Sequence, residues 1–434
     1  MMNPNSIRIP VACLALFLSS LGLAQNLTLD EALRLARLNN GDIRAAALDV
    51  QAANARVKQA RSAFFPTITP FVEYNNQRST TDTSLGNVIS KFDGWTTGID
   101  ATWNILDAGQ KDFTLRGAQR SEEATRFDAT QLLRRTLFTV HQQYYEALRA
   151  QELLRVGQSQ VDRTQKIYDQ AEFGSRPEIG SVAKKDVYQA RADLLNAKVE
   201  LLRIKNLTST TQSALKATIG WNGTEPLPPL EKAPELVDVP EIPPMETVVE
   251  EGLRTRPDLQ SERRRVDVQY FSWKRAERDA GFSFDLDLTY SRNFSPNADD
   301  SRNLRLLVTY PLFDGGRLRE QAREAKLNYQ ASQARLVQSE RLARAEIESA
   351  YAENAQNIER LNASKQALEA AQVNYNAAIA AQREGANDVI QVLTAQVSLV
   401  TAESNYIEAT YDYYESDANL RLVSGRPIAG ELER

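Results

Sequence analysis

Apolar and polar residues alternate strictly along residues 282–291, and this pattern constrains the fold more than any other feature of the chain. The apolar members are Phe282, Phe284, Leu286, Leu288 and Tyr290, and the polar members are Ser283, Asp285, Asp287, Thr289 and Ser291. Period-two alternation predicts a strand with one apolar face and one wet face. Beyond the N-terminus, no segment carries the 18 or more apolar residues of a transmembrane helix. If the chain meets a membrane, it must do so with strands.

Four strands are predicted in two pairs, at about 66–76 and 94–106 and at about 282–292 and 303–313. The alternation is weakest in the first strand, where Pro70 and Phe71 disturb it. The polar connections 75–93 and 293–303 are expected to be solvent-exposed loops. A soluble sandwich would need further strands to form a second sheet, and the sequence offers none.

Three acidic residues fall on the wet faces of these strands. Asp100, Asp285 and Asp287 are therefore expected to face water, in the lumen of a barrel if the strands of several chains close into one. These three carboxylates either make the lumen prefer cations or are ordinary polar residues of a water-filled interior.

The chain is an internal duplication. Residues 103–110 parallel residues 310–317, and residues 27–33 parallel the segment that starts at Pro244. We therefore divide the chain into a first repeat at 25–225, a second repeat at 245–425 and a tail at 426–434. Between the repeats lies a linker at 226–244, which holds seven of the sixteen prolines and cannot be helical.

Most of the remaining chain is predicted to be helical. Residues 317–384 contain no Gly or Pro and would form a helix of about 100 Å. The other predicted helices are 107–172, 181–219, 258–281 and 389–424, with a further helical segment at 41–64. Apolar steps of three, four and seven indicate coiled-coil packing. Each long helix matches the summed length of two shorter ones, which predicts a cylinder wall four helices wide.

The predicted fold class is mainly α with a small β part. Four strands cannot close a barrel, and two chains would give eight strands whose interior is filled by side chains. Three chains give twelve strands and an open lumen. The strand count therefore demands an oligomer and favours at least a trimer if something must pass through, with long antiparallel helices forming a cylinder wall next to the strands.

The N-terminus has the pattern of an export signal. Arg8 precedes an uncharged stretch with an apolar centre, and Gly22 and Ala24 suit cleavage before Gln25. Residues 1–24 are therefore predicted to be a signal peptide, with a retained membrane anchor as the alternative. Cys13 begins the apolar run instead of following it, so we interpret it as ordinary signal sequence.

Composition argues against chemistry in the mature chain. Once residues 1–24 are removed, it has no Cys and retains His141 and Met245 as its single His and Met. No metal site and no cofactor is therefore expected. Acidic and basic residues are interspersed at a net charge of −5, which does not suit nucleic acid. No catalytic triad or Gly-rich phosphate loop is evident, so an enzyme is not expected.

Several motifs occur in duplicate and in a fixed order. They include Leu29–Leu33, the run from Ala60 to Pro66, the Asp-x-Gly segments at Asp107 and Asp314, and the helix-turn segments Gly180–Ala190 and Gly385–Gln396. With these motifs the mature chain resembles the TolC family of outer-membrane efflux and secretion channels. The resemblance implies a homotrimer with a twelve-stranded barrel in outer-membrane lipid and a large periplasmic tunnel. It also implies an exit duct for efflux or type I secretion, docked to a periplasmic adaptor protein and an inner-membrane transporter.

The resemblance also implies a gate at the periplasmic tip, where family members carry a charged lock. Asp186 matches an acidic position, whereas Gln391 and Thr394 stand where the family has constriction aspartates. Asn387 replaces a basic lock residue, and Asp388 is a candidate substitute for the missing charge.

Two hypotheses for this gate follow. In the first, apolar Val182, Val389 and Ile390 close the tip by packing, helped by neutral hydrogen bonds, since exposed ion pairs contribute only about 0–1 kcal/mol. In the second, Asp186 and Asp388 form an acidic ring that binds divalent cations. Either carboxylate also suits a helix N-terminus without any role in a gate.

A different class of protein remains as the alternative. A periplasmic coiled-coil adaptor also has long helical hairpins, but the two embedded strand pairs at matching repeat positions argue against it. A drug, a metal ion, a lipid-like signal and a secreted polypeptide are all compatible cargoes, because selection occurs mostly at the pump.

Overall fold

The computed structural model of the 434-residue chain describes residues 26–84, 86–178, 182–221, 226–233, 242–294, 299–384 and 389–431. The predicted signal peptide and the gate candidates Asn387 and Asp388 lie outside the described residues, as does the side chain of Val389. In the described part, no helix combines the length and the hydrophobicity needed to cross a bilayer.

Helices and strands follow one another in the same order in both halves. The first half contains α1 (Leu29–Asn39), α2 (Gly41–Ser62), β1 (Thr67–Thr83), β2 (Gly86–Asp107), α3 (Gln110–Gly174) and α4 (Lys184–Thr218). The second half contains α5 (Met245–Thr255), α6 (Pro257–Arg278), β3 (Ser283–Asn293), β4 (Asp299–Thr309), α7 (Arg317–Arg383) and α8 (Val389–Val423). The short helices α1 and α5 were not distinguished in the sequence.

The strands form one antiparallel sheet in the order β1-β2-β3-β4. Trp103 pairs with Leu286 between β2 and β3, and Leu288 pairs with Leu304 between β3 and β4. β1 and β4 each have one partner strand in the described chain, so the sheet is open along two edges.

The predicted loop 75–93 is wrong. β1 and β2 are longer than the expected 66–76 and 94–106, and they pair from Tyr74 with Trp95 to Thr83 with Gly86. β3 ends where Asn293 pairs with Thr96, so the hairpin extends about ten residues, or ~34 Å, beyond it. The segment is rich in Thr, Asn and Ser, so it lacks the apolar alternation that marks a half-buried strand.

The predicted position of the fourth strand also differs from the structure. β4 spans Asp299–Thr309 instead of 303–313. Pro311 lacks the backbone N–H of a central ladder residue, and the chain turns after it into α7. The predicted loop 293–303 is correspondingly shorter.

Six helices form a single-layered wall below the sheet. Near the strands, α3 packs between α2 and α6, and α7 packs on α6. Farther down, α3 packs between α4 and α8, and α7 packs on α8. The pairs α2/α4 and α6/α8 therefore each occupy one column beside the long helices, as their lengths predicted. The open edges of the wall are α2/α4 on one side and α7 on the other, which continue the open edges of the sheet.

One face of this wall carries an equatorial belt, which we define as α1, α5, residues 226–233 and the tail 426–431. Leu33, Leu137 and Leu215 are fully buried in its core. Arg134 is also buried, and it donates hydrogen bonds to the carbonyls of Gly425, at 3.1 Å, and of Arg426. The belt ties the C-terminus to the middle of α3.

The duplicated Asp-x-Gly motif forms the turn from strand to helix. Asp314 accepts hydrogen bonds from the backbone N–H groups of Gly316 at 2.9 Å and Leu318 at 2.7 Å. Asp107 does the same at the start of α3. Gly316 has φ 87°, a left-handed conformation that glycine adopts without strain. The motif therefore caps both long helices where they leave the sheet.

The Asp314→Ala substitution removes both capping hydrogen bonds at the start of α7. We expect the free energy of unfolding to fall by about 1–2 kcal/mol, the usual cost of losing a helix N-cap. Urea unfolding in detergent, followed by circular dichroism, measures the change. Glu324→Ala, an exposed carboxylate on the same helix, is the matched control, and an equal effect of both substitutions would contradict the capping role.

Candidate functional site

The two faces of the sheet differ in chemistry. One face is an exposed apolar band, which includes Ile68 (64% exposed), Val72 (71%), Ile99 (48%), Leu288 (48%), Leu304 (71%) and Leu306 (62%). Exposing a continuous apolar surface of this kind to water is unfavourable. The band is therefore a surface for lipid or for another protein.

Exposed aromatic residues border this apolar band at both ends. Phe65, Phe282, Tyr310 and Phe313 lie at the helical end. Tyr74, Trp95 and Phe294 lie at the other end, where the rings of Tyr74 and Trp95 are 5.2 Å apart. The nine-residue step from Phe65 to Tyr74 covers about 30 Å along a strand, or about 23 Å across a membrane at a tilt of ~40°. This height suits the hydrocarbon layer of an outer membrane, which is about 25 Å for such sheets.

The opposite face carries the three predicted lumen candidates. Asp285 accepts a hydrogen bond from Asn104 Nδ2 at 2.6 Å, and Asp287 accepts one from Arg305 Nη2 at 2.7 Å. Asp100 lies on the same face, opposite Thr289, and forms no ion pair among the described residues. The negative charge of this face is therefore partly neutralised within the chain.

Arg305 was missed in the sequence. The signal was present, because Arg305 stands at an odd position between Leu304 and Leu306 and must share the wet face with Asp287. Alternation that identifies the apolar face of a strand also identifies the side chains on its opposite face.

At the far end of the wall, the two helix hairpins share a small core. Ile167 of α3, Ala378 of α7, and Val392, Leu393 and Ala395 of α8 are buried together. The gate candidate Val182 packs against this cluster, and its backbone N–H donates to the carbonyl of Gly174 at 3.2 Å. We call these five residues and Val182 the tip cluster.

The remaining described gate candidates separate into two environments. Asp186 is 7% exposed in the first turn of α4, so its carboxylate is largely covered within its own chain. Ile390, Gln391 and Thr394 are exposed on α8, and Thr394 Oγ1 donates to the carbonyl of Ile390 at 2.9 Å. The structure therefore does not bring Asp186 together with these three side chains on one exposed face.

The two hairpins also differ in charge. Residues 389–402 at the start of α8 and residues 370–382 at the end of α7 contain no charged side chain. The matching start of α4 carries Lys184, Lys185, Asp186, Arg191, Asp193 and Lys198. Arg383, Glu384 and Asp388 lie between these two uncharged stretches, so the α7/α8 hairpin carries fewer charges than the α3/α4 hairpin but is not neutral.

Ion pairs join the two hairpins along the α3–α8 seam. Arg149 of α3 lies 2.8 Å from Asp412 and 3.2 Å from Glu415, and Arg163 lies 2.9 Å from Glu403. Burial raises the pKa of Glu415 to about 7, although Arg149 acts in the opposite direction. The seam is therefore sensitive to pH near neutrality.

Comparison with known proteins places the chain among bacterial outer-membrane proteins. A family model described as outer membrane efflux protein matches residues 32–221 and 248–426. The outer membrane protein TolC of Escherichia coli is 24% identical over 426 residues, covering 94% of this chain and 83% of that protein. The cobalt-zinc-cadmium resistance protein CzcC of Cupriavidus metallidurans is 23% identical, covering 92% of this chain and 90% of that protein.

A solved structure shares the fold. The Campylobacter jejuni CmeC outer membrane channel superimposes with a TM-score of 0.81 at 17% identity, covering 93% of this chain and 87% of that chain. The arrangement of the sheet, the helical wall and the belt is therefore a known fold, which the crystal structure of that channel also shows.

The raised pKa of Glu415 predicts how stability changes with pH. Because folding raises this pKa from about 4.5 to about 7, the folded chain holds the proton more tightly than the unfolded chain. The resulting stabilisation is complete below pH 4.5 and is lost as the pH rises through 7. Glu415→Gln imitates the protonated side chain, so its melting temperature should exceed that of the native protein more at pH 8 than at pH 5. Glu408→Gln, on the same helix, is the control, and a pH-independent offset for Glu415→Gln would contradict this assignment.

Proposed function

The chain belongs to the outer membrane efflux protein family, and on that premise we propose that three copies form the exit duct of a tripartite export system. The duct carries cargo across the outer membrane and continues into the periplasm as a helical tunnel. The observation that carries the proposal is that the sheet and the helical wall are open along the same two edges. A single rotational symmetry that relates the copies therefore closes both the sheet and the wall.

The proposed number of copies follows from the strand count. An unpaired backbone group in lipid costs several kcal/mol, so β1 and β4 need partners from other copies. Eight strands from two copies would enclose an interior filled by side chains, whereas twelve from three copies leave a lumen. In the trimer, β4 and α7 of one protomer lie beside β1 and α2/α4 of the next.

We propose a passive conduit that receives cargo from a periplasmic adaptor protein and an inner-membrane transporter. The relatives named above are an outer membrane protein and a cobalt-zinc-cadmium resistance protein, which supports export as the class of function. The alternative, a periplasmic adaptor, does not account for an apolar band bordered by aromatic residues at both ends. For the same reason, the apolar face is assigned to outer-membrane lipid.

For the gate, we propose closure by packing of the α7/α8 hairpins through their uncharged stretches, residues 370–382 and 389–402. Gln391, Thr394 and Ile390 of three copies would meet at the axis, held in place by the tip cluster beneath them. The low exposure of Asp186 supports this hypothesis over an acidic ring, because a largely covered carboxylate is poorly placed to bind cations in a lumen.

Single-channel recording in planar bilayers tests the gate. Leu393→Ala removes a buried side chain of the tip cluster, at a typical cost of about 2–5 kcal/mol, and should raise the closed-state conductance. Asp186→Asn keeps the shape of the side chain and should leave that conductance nearly unchanged. A large rise for Asp186→Asn, together with a loss of block by divalent cations, would establish the acidic ring instead.

Native mass spectrometry in detergent tests the assembly, and three copies are expected. Leu286→Arg places a charge on the lipid face, at a cost of about 2–4 kcal/mol near the bilayer midplane, and should lower the yield of trimer. Asp287→Asn, the next residue along the strand, should leave assembly intact and change conductance by leaving Arg305 unpaired. A stable membrane-inserted monomer would overturn the architecture.

A further inference from the structure

A groove of about 520 Å³ lies directly below the sheet, between α2, α3 and α6. Its lining residues are Arg56, Gln59, Ala60, Ala63, Asp107, Gln110, Lys111, Thr114, Ala118 and Arg275. It is built within one chain, so it exists whatever the number of copies. Its lining combines three cationic side chains with amide and hydroxyl groups that donate hydrogen bonds.

The groove carries a net positive charge within the described chain, because its lining has three cationic side chains and one carboxylate. The one carboxylate in its lining, Asp107, accepts hydrogen bonds from the backbone N–H groups of Gly109 at 3.2 Å and Lys111 at 2.8 Å, as the cap of α3. Arg56 and Arg275 are exposed and have no ion-pair partner among the described residues. The Lys111 ammonium group donates to the carbonyl of Asn104, which is a neutral partner. Three cationic side chains thus line a space that holds a single carboxylate, which already accepts two hydrogen bonds as a helix cap.

Two observations show which side of the wall the groove occupies. Thr114 and Arg134 are 20 residues apart on α3, which at 100° per residue separates their side chains by about 160°. Arg134 faces the equatorial belt, so the groove lies on the opposite face. In addition, Asp107 of the groove lining pairs across the strands with Ser283, whose hydroxyl group donates to Asp285 on the wet face of the sheet.

In the proposed trimer, these observations put the groove in the lumen. Three copies of the belt inside the ring would fill the duct, so the belt faces outward and the groove faces inward. This placement rests on the proposed function, whereas the groove and its charge do not.

We propose that the groove is a binding site for anionic groups, namely the carboxylate, phosphate or sulfate groups of solutes that pass through the duct. Arginine guanidinium groups pair with such oxygens in a bidentate manner. The Gln59 amide and the second N–H of the Gln110 amide, whose first N–H donates to the carbonyl of Arg278, supply further donors. Three grooves form a basic ring just below the aspartates of the barrel lumen. The ring concentrates anions at the top of the tunnel, because charge of one sign in a narrow cavity focuses the field.

Binding of inorganic pyrophosphate to the full-length protein in detergent, measured by isothermal titration calorimetry at low salt, tests the site. Arg56→Gln with Arg275→Gln should weaken binding about tenfold or more, because charge-assisted hydrogen bonds are lost. Lys58→Gln with Arg61→Gln is the matched control, since it removes the same charge near the same end of α2. Those two side chains lie about 200° and 140° around the helix from Arg56. Equal binding to the two double variants, or no binding to the native protein, would overturn the proposal.

Bilayer recording places the same site in the duct. Pyrophosphate should block the native channel, and the block should be lost in the Arg56→Gln/Arg275→Gln variant and kept in the Lys58→Gln/Arg61→Gln variant. Binding in solution without block would refute the lumenal placement and keep the anion site. Failure of the native protein to form channels would count against the proposed function, and calorimetry would still decide whether the groove binds anions.

Discussion

Backbone N–H and C=O groups along the outer edges of β1 and β4 must find hydrogen-bond partners, and in a membrane water cannot supply them. This requirement couples the strands to assembly, because each edge can be satisfied only by the opposite edge of another copy. The helical wall has the same open edges in the same order, so the copies that complete the sheet also complete the wall. Side chains refine this arrangement, but the unpaired backbone determines that it is a ring.

The duplication explains how one chain supplies two equivalent parts of the ring, so that three chains supply six. In each repeat, an Asp-x-Gly turn caps a long helix immediately after a hairpin, with Asp107 and Asp314 in matching roles. The repeats differ in the length of their strand hairpins and also at the opposite end, where α4 begins with charged residues and α8 with neutral ones. Both repeats need the same capped turn where the strands meet the long helices. At the far end of the wall, the two helix hairpins differ in charge.

Sequence reasoning succeeded where a periodic pattern reports burial directly. The apolar alternation at Leu286 and Leu288 identified the strand and its faces, and the Gly- and Pro-free run identified α7. It failed where polar residues form regular structure, as in the hairpin beyond Tyr74, because a strand in water has no apolar face to detect. Tertiary burial was equally invisible: a helix N-terminal aspartate such as Asp186 has the same sequence signature whether exposed or covered.

The extension of the β1–β2 hairpin has a consequence for the outer surface. A two-stranded ribbon without a third strand is only marginally stable in water, and this one continues for about ten residue pairs beyond β3. Its local unfolding should therefore require far less free energy than unfolding of the sheet below it. In the assembled ring, three such ribbons would stand outside the cell as the parts most accessible to proteases and antibodies. The turn at Ser84, at the end of this ribbon, is accordingly the position where an inserted epitope would disturb the barrel least.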